Sequence, residues 1–153
     1  MNLVGMKSGV VLLDDLGTFD ALVSRIAHKH DLDRAYAGRS FDQAILYTWT
    51  AGRHPELNLS PSQQVDMALD EFLLDTPTYR GFCDRQVGRY VDHIPINAPM
   101  ARQLIAAGGR IHTPTETAEV MRRAGCWVDD ELWPADNKAN CTSCYTGDHG
   151  GGS

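Results

Sequence analysis

Three prolines stand directly behind a hydroxyl side chain, at Ser60-Pro61, Thr76-Pro77 and Thr113-Pro114, and an apolar stripe of helical period follows each. Proline lacks an N–H and fixes φ, so it is accepted in the first turn of a helix and cannot continue the helix before it. A serine or threonine ahead of it can accept a bond from one of the free N–H groups. These signals divide the chain into short helices with forced changes of direction. Ser60-Pro61-Ser62-Gln63 and Thr113-Pro114-Thr115-Glu116 both read as capping boxes, with Ser60 and Thr113 as caps and Gln63 and Glu116 closing them. Behind Ser60 the stripe is Val65, Leu69, Phe72, Leu73 and Thr76. Behind Thr76-Pro77 it is Tyr79, Phe82, Cys83, Val87 and Tyr90, which predicts a short-linked helix pair ended by Ile94-Pro95. Behind Thr113 come Val120 and Met121, stopped at Gly125.

The rest of the chain follows the same period. Phe19, Leu22, Val23, Ile26 and His30 share a helical face, with Thr18 as the expected N-cap. A helix is expected over residues 33–51 with Tyr36, Phe41, Ile45, Thr48 and Trp49 on one side, stopped by Gly52 and Pro55. Met100, Leu104 and Ile105 predict a short helix closed by Gly108-Gly109. Only residues 126–133 read as extended, their two tryptophans expected to fold back onto the helices. The fold class is therefore all-α, a single bundle of about five to six short helices over residues 1–133. Residues 134–153 hold no large aliphatic residue and one aromatic, Tyr145. Such a segment cannot bury enough apolar area to offset roughly 1–2 kcal/mol per ordered residue, so it is expected to be a poorly structured tail unless something pins it.

The 153 residues carry 42% hydrophobic and 22% charged residues and a formal charge of -6, a globular composition without the basic surface of a general nucleic-acid binder. No stretch approaches the roughly 18 apolar residues of a membrane helix. The apolar run at 10–13 is cut short by Asp14 and Asp15, unlike a secretory signal, so a cytoplasmic protein with reduced thiols is expected. Cys83, inside a helical stripe, reads as a core residue.

Two constellations could carry chemistry. Cys141 and Cys144 have C-x2-C spacing, and His149 follows near enough to supply a third ligand. With Cys126 folding back, a Cys3His zinc site could form, shielded by Trp127; zinc would then supply the free energy that orders the tail. A free tail and a redox-active or covalently modified tail are the alternatives. The second constellation is Asp66 and Asp70, one helical turn apart, together with His93. It reads either as a metal or acid–base site, or as Asp66 capping or paired with Arg85 or Arg89 and Asp70 in solvent. His28 and His30 fall on different faces of a helix and are no chelating pair, and no P-loop, GxGxxG, GxSxG or HExxH pattern occurs in the sequence.

Residues 59–95, from LSPSQQVD through GFCDRQVGRYVDHIP, resemble the signature of the glycine-rich domain-containing protein family, in the form of its short actinobacterial members. That signature runs from Leu-Ser-Pro through Val-Asp-x-x-Trp-His to a Phe-Cys and a Gly-Arg-aromatic with one or two histidines. Val65, Asp66, Thr76, Tyr79, Phe82, Cys83, Gly88, Arg89 and His93 match it, whereas Leu69-Asp70 stands where the family has Trp-His and Asp92-His93 where many members have paired histidines. The resemblance implies a helical domain and no particular activity; if the family histidines build a site, carboxylates replace most of them in this chain.

Three functions are compatible with these residues. The first is a non-enzymatic helical binding or adaptor module for a protein partner, with a thiol-bearing tail that holds zinc or a partner. The second is a ribosomal precursor whose helical part is a leader and whose Thr142, Ser143, Thr146 and cysteines are modified. The third is a small metalloenzyme using Asp66, Asp70 and His93, which requires Asp66 and His93 to lie within about 10 Å, the reach of one ion with ligand bonds near 2 Å.

Overall fold

A computed structural model describes residues 5–135 and 144–146. Among these residues the chain forms seven α-helices: α1 (Gly9–Leu13), α2 (Leu16–His30), α3 (Arg34–Arg53), α4 (Gln63–Leu74), α5 (Thr76–Gln86), α6 (Pro99–Ala106) and α7 (Pro114–Arg123). The all-α class holds. The short α1 is the element that the apolar run at 10–13 did not announce.

α3 organises the molecule. It touches α1, α2, α4, α5 and α7, and every residue from 40 to 52 is buried. The expected single apolar stripe is thus replaced by burial all round, as befits a helix at the centre of a bundle. Several of its buried polar side chains are satisfied locally or by cross-links, whereas the Ser40 hydroxyl and one Asp42 oxygen are buried without a hydrogen-bond partner. Thr48 and Thr50 donate to the carbonyls one turn back, Ala44 and Leu46. Gln43 donates to the Trp127 carbonyl and accepts from the Asp129 amide and the Trp133 indole N–H. Residues 126–133 therefore pack onto α3 as expected, with Trp133 buried and Trp127 half-buried. They do so as a bridge from Cys126 to Lys7 followed by a tight 3₁₀ turn, Asp130–Leu132.

The helix boundaries follow the signals with three corrections, one of which is that α5 ends at Gln86, so that Tyr90 lies beyond it in the run leading to Ile94-Pro95. The cap of α2 is Asp15, not Thr18: the Asp15 carboxylate accepts from both the amide and the hydroxyl of Thr18, and the helix begins at Leu16, three residues earlier than a Thr18 cap would start it. The cap of α4 is Ser62, which accepts from the Val65 amide, whereas the Ser60 hydroxyl donates across the fold to the His112 carbonyl. The second proline signal holds, with Pro77 in the first turn of α5 directly after α4. Thr113 and Glu116 form the reciprocal capping box read from the sequence. Gly88, Gly108 and Gly125 adopt positive φ behind α5, α6 and α7, the backbone conformation that lets a helix stop without a Cβ clash.

One strand pair accompanies the helices. Ile94–Pro95, β1, runs antiparallel to Cys144–Tyr145, β2, with Ile94 opposite Tyr145 and Pro95 opposite Cys144. The next residue, Thr146, bridges to Leu59. Tyr145 is 1% exposed and Thr146 2%. The tail is pinned at this point: Tyr145 forms a small core with Ile94 and Ala101, separate from the main one around α3.

Candidate metal centre

Asp66 lies in the first turn of α4 and Asp70 one turn later, so the two carboxylates share a face. Val65, Ala68, Leu69 and Phe72 are buried and fix the rotation of α4, leaving Asp66 partly covered and Asp70 at the rim. His93 arrives from the extended segment after α5. The Tyr79 hydroxyl donates to the Val91 carbonyl at 2.5 Å and Val91 is buried, which anchors this segment two residues before the histidine.

The three side chains meet. His93 Nε2 is 3.4 Å from Asp66 Oδ1, with the histidine and aspartate side chains only 11% and 18% exposed. One ligand atom from each of Asp66, Asp70 and His93 lies within 4.8 Å of the others, and no further group of three such residues occurs among the described ones. Bonds near 2 Å place neighbouring donors roughly 3–4 Å apart around an ion, close to the spacing these atoms already have. The expected arginine partners are engaged elsewhere: Arg85 donates to the Leu13 carbonyl and Arg89 to the Gly52 carbonyl.

The electrostatics match a site that gains from a cation. Partial burial, and then the negative charge of Asp66, push the Asp70 pKa above the ordinary carboxylate range; His93 and Lys29 pull the other way. The next residue along, Glu71, is held out of the cluster. Its carboxylate is buried and paired with Lys29 at 2.5 Å, with Arg25 at 4.0 Å. That pair ties α2 to α4. The second ring nitrogen of His93, Nδ1, is buried without a hydrogen-bond partner.

The cysteine constellation divides differently. Cys126 is buried, its sulfur 3.5 Å from the Thr50 hydroxyl, and burial pushes its thiol pKa up, so it is a neutral thiol at pH 7. Cys83 is a core thiol, also raised by burial. Cys141, His149 and the side chain of Cys144 lie outside the described residues, as do Thr142 and Ser143. Thr146, the remaining candidate for modification, has its hydroxyl against that of Tyr47, 2.9 Å away and shielded from solvent.

Comparisons with protein-family models, with curated proteins and with solved structures found no match to this chain. None of the described helices is long and apolar enough to cross a membrane. The sequence reading named the residues of the Asp66–Asp70–His93 cluster; their convergence depends on a turn after α5 that no periodicity encodes.

Proposed function

We propose that this chain is a divalent-metal-binding helical protein whose ion is held by Asp66, Asp70 and His93. The observation that carries the reading is the approach of His93 to Asp66 within 3.4 Å, from the segment beyond the next helix, beside a second carboxylate within reach of the same ion. Two carboxylate oxygens and one imidazole nitrogen suit borderline ions such as Mn2+, Fe2+, Co2+ or Zn2+ more than Ca2+, which takes oxygen ligands only. Three protein donors leave coordination positions for water, as in catalytic rather than closed structural sites. A bound ion would also relieve the repulsion between Asp66 and Asp70 and so stabilise the helix that carries them.

The test is a titration of chelator-stripped protein with Mn2+, Co2+ and Zn2+, followed by calorimetry and metal analysis. One ion per chain is expected, lost in the double variant Asp66→Asn/Asp70→Asn and retained in Cys141→Ser/Cys144→Ser. Binding that survives the first pair and vanishes with the second would move the site to the tail thiols. Less than about 0.2 ion per chain at saturating metal would remove the metal reading altogether, given that a formed three-ligand site fills under those conditions. The binding-module reading would then stand first, supported by Val11 and Leu16, which are 71% and 69% exposed close together at the α1–α2 turn.

A further inference from the structure

We propose that Tyr145 and its neighbours form a clasp that positions His93, so that docking of the C-terminal segment and occupancy of the metal centre control each other. The inference rests on the metal reading above and adds a regulator to it.

The geometry of residues 144–146 carries it. Tyr145 pairs with Ile94, the residue directly after His93. One residue further, the Thr146 amide donates to the Leu59 carbonyl at 2.8 Å. Leu59 heads the segment that runs through the Ser62 cap into α4, where Asp66 and Asp70 sit. Three consecutive tail residues therefore stitch together the two chain segments that supply the ligands. The stitch is buried. The Tyr145 ring is enclosed with Ile94 and Ala101, and the Tyr47 hydroxyl links the Leu59 carbonyl to the Thr146 hydroxyl, at 2.9 Å from each.

His93 is thus suspended between two anchors. Behind it, Val91 is fixed in the main core by Tyr79. Ahead of it, Ile94 is held against Tyr145 in the smaller core. Releasing the second anchor frees the backbone next to the imidazole and leaves Asp66 and Asp70 on a rigid helix with no fixed nitrogen donor. Linkage makes the effect mutual: if docking tightens the ion, the ion tightens docking by the same factor. Loss of metal would release residues 144–146 from Ile94 and Leu59. Tyr145 is a positioning residue in this scheme and touches no ion.

The experiment uses the full-length chain with Co2+ and Zn2+ as probes. Tyr145→Ala is expected to weaken Co2+ binding about tenfold, within the usual range of coupling between two sites, and to alter the visible spectrum of the bound Co2+ as the nitrogen donor loosens. Tyr145→Phe, which keeps the packed ring, is expected to restore both. In the Cys141→Ser/Cys144→Ser protein, where Zn2+ has no tail thiols to bind, Zn2+ is expected to slow amide exchange of residues 144–146 by a comparable factor, and this measurement decides the matter even if Tyr145→Ala fails to fold. Wild-type affinity and spectrum in Tyr145→Ala, or exchange at 144–146 that ignores Zn2+, would overturn the clasp while leaving the metal centre standing. Absence of binding in the wild type would overturn the metal centre itself.

Discussion

At the scale of single residues, the contact between α1 and α3 turns on Gly9 and Asp42. A Cβ on Gly9 would lie 2.2 Å from the backbone oxygen of Asp42, an atom that cannot step aside. Gly9→Ala is therefore expected to destabilise the fold by about 1–3 kcal/mol, the usual penalty of overpacking, as read from urea unfolding. An unchanged midpoint would mean that α1 lifts away from α3 freely. Asp42 itself accepts from the Val10 amide at 2.8 Å, while its other oxygen is buried without a partner. Burial pushes its pKa above 3.8, and the Val10 and Gly9 amides only partly offset this. The folded state thus keeps the proton to higher pH than the unfolded chain does. The stability this confers is complete below pH 3.8 and is lost as pH rises through the raised native value. Asp42→Asn carries no such slope, so the Tm of the wild type minus that of the variant is expected to fall as pH climbs through this window. A difference that stays flat would show that the Asp42 carboxylate titrates as it does in water.

At the scale of elements, helix starts were legible because their chemistry is local. Thr113 and Glu116 need only each other and three residues of backbone. Ser60 was misread as a cap because its hydroxyl is used at long range, by the His112 carbonyl, and Ser62 two residues later makes the same local bond as well. The burial of α3 on every side was hidden for a related reason. Asp42, Gln43 and Thr50 are polar and look solvent-facing, but Thr50 bonds one turn back in the same helix, Asp42 bonds to Val10 and the partners of Gln43 lie some 80–90 residues away. Gln43 shows how much depends on that hidden pairing. Its side chain holds the Trp127 carbonyl, the Asp129 amide and the Trp133 indole against the central helix. Gln43→Leu keeps the volume and orphans all three. A loss of at least about 2–3 kcal/mol is expected, since each buried unpaired group costs roughly 1–3 kcal/mol. Calorimetry would check it; a loss below 1 kcal/mol would mean that water replaces the amide, which a site at 0% exposure does not readily admit. The metal cluster was half legible by the same logic. The spacing of Asp66 and Asp70 is a helical fact, whereas the arrival of His93 is a tertiary one.

At the scale of the whole molecule, two cores of unequal size share one chain. The larger surrounds α3; the smaller has Ile94, Ala101 and Tyr145 at its centre, with Ile96, Ala98, Leu104 and Ile111 packed around them. α6 belongs to the smaller one, packs against β1, and leaves Met100 and Ile105 44% and 55% exposed. Three buried side chains cannot hold a helix and a strand pair as firmly as the main core holds α3, so the two parts should open at different free energies. Native-state amide exchange is expected to show residues 99–106 exchanging through a local opening with little dependence on denaturant, while residues 40–52 exchange only through global unfolding. Removing a buried aromatic ring costs about 3–5 kcal/mol. That is more than so small a cluster can absorb, whereas the packing of α3 against α1, α2 and α4 lies in the other core. Tyr145→Ala should therefore abolish protection in α6 and leave the most protected amides of α3 at their global limit. Equal protection in both regions would show a single cooperative unit. In that case β1, and the histidine before it, would be held by the main core without help from the C-terminal strand.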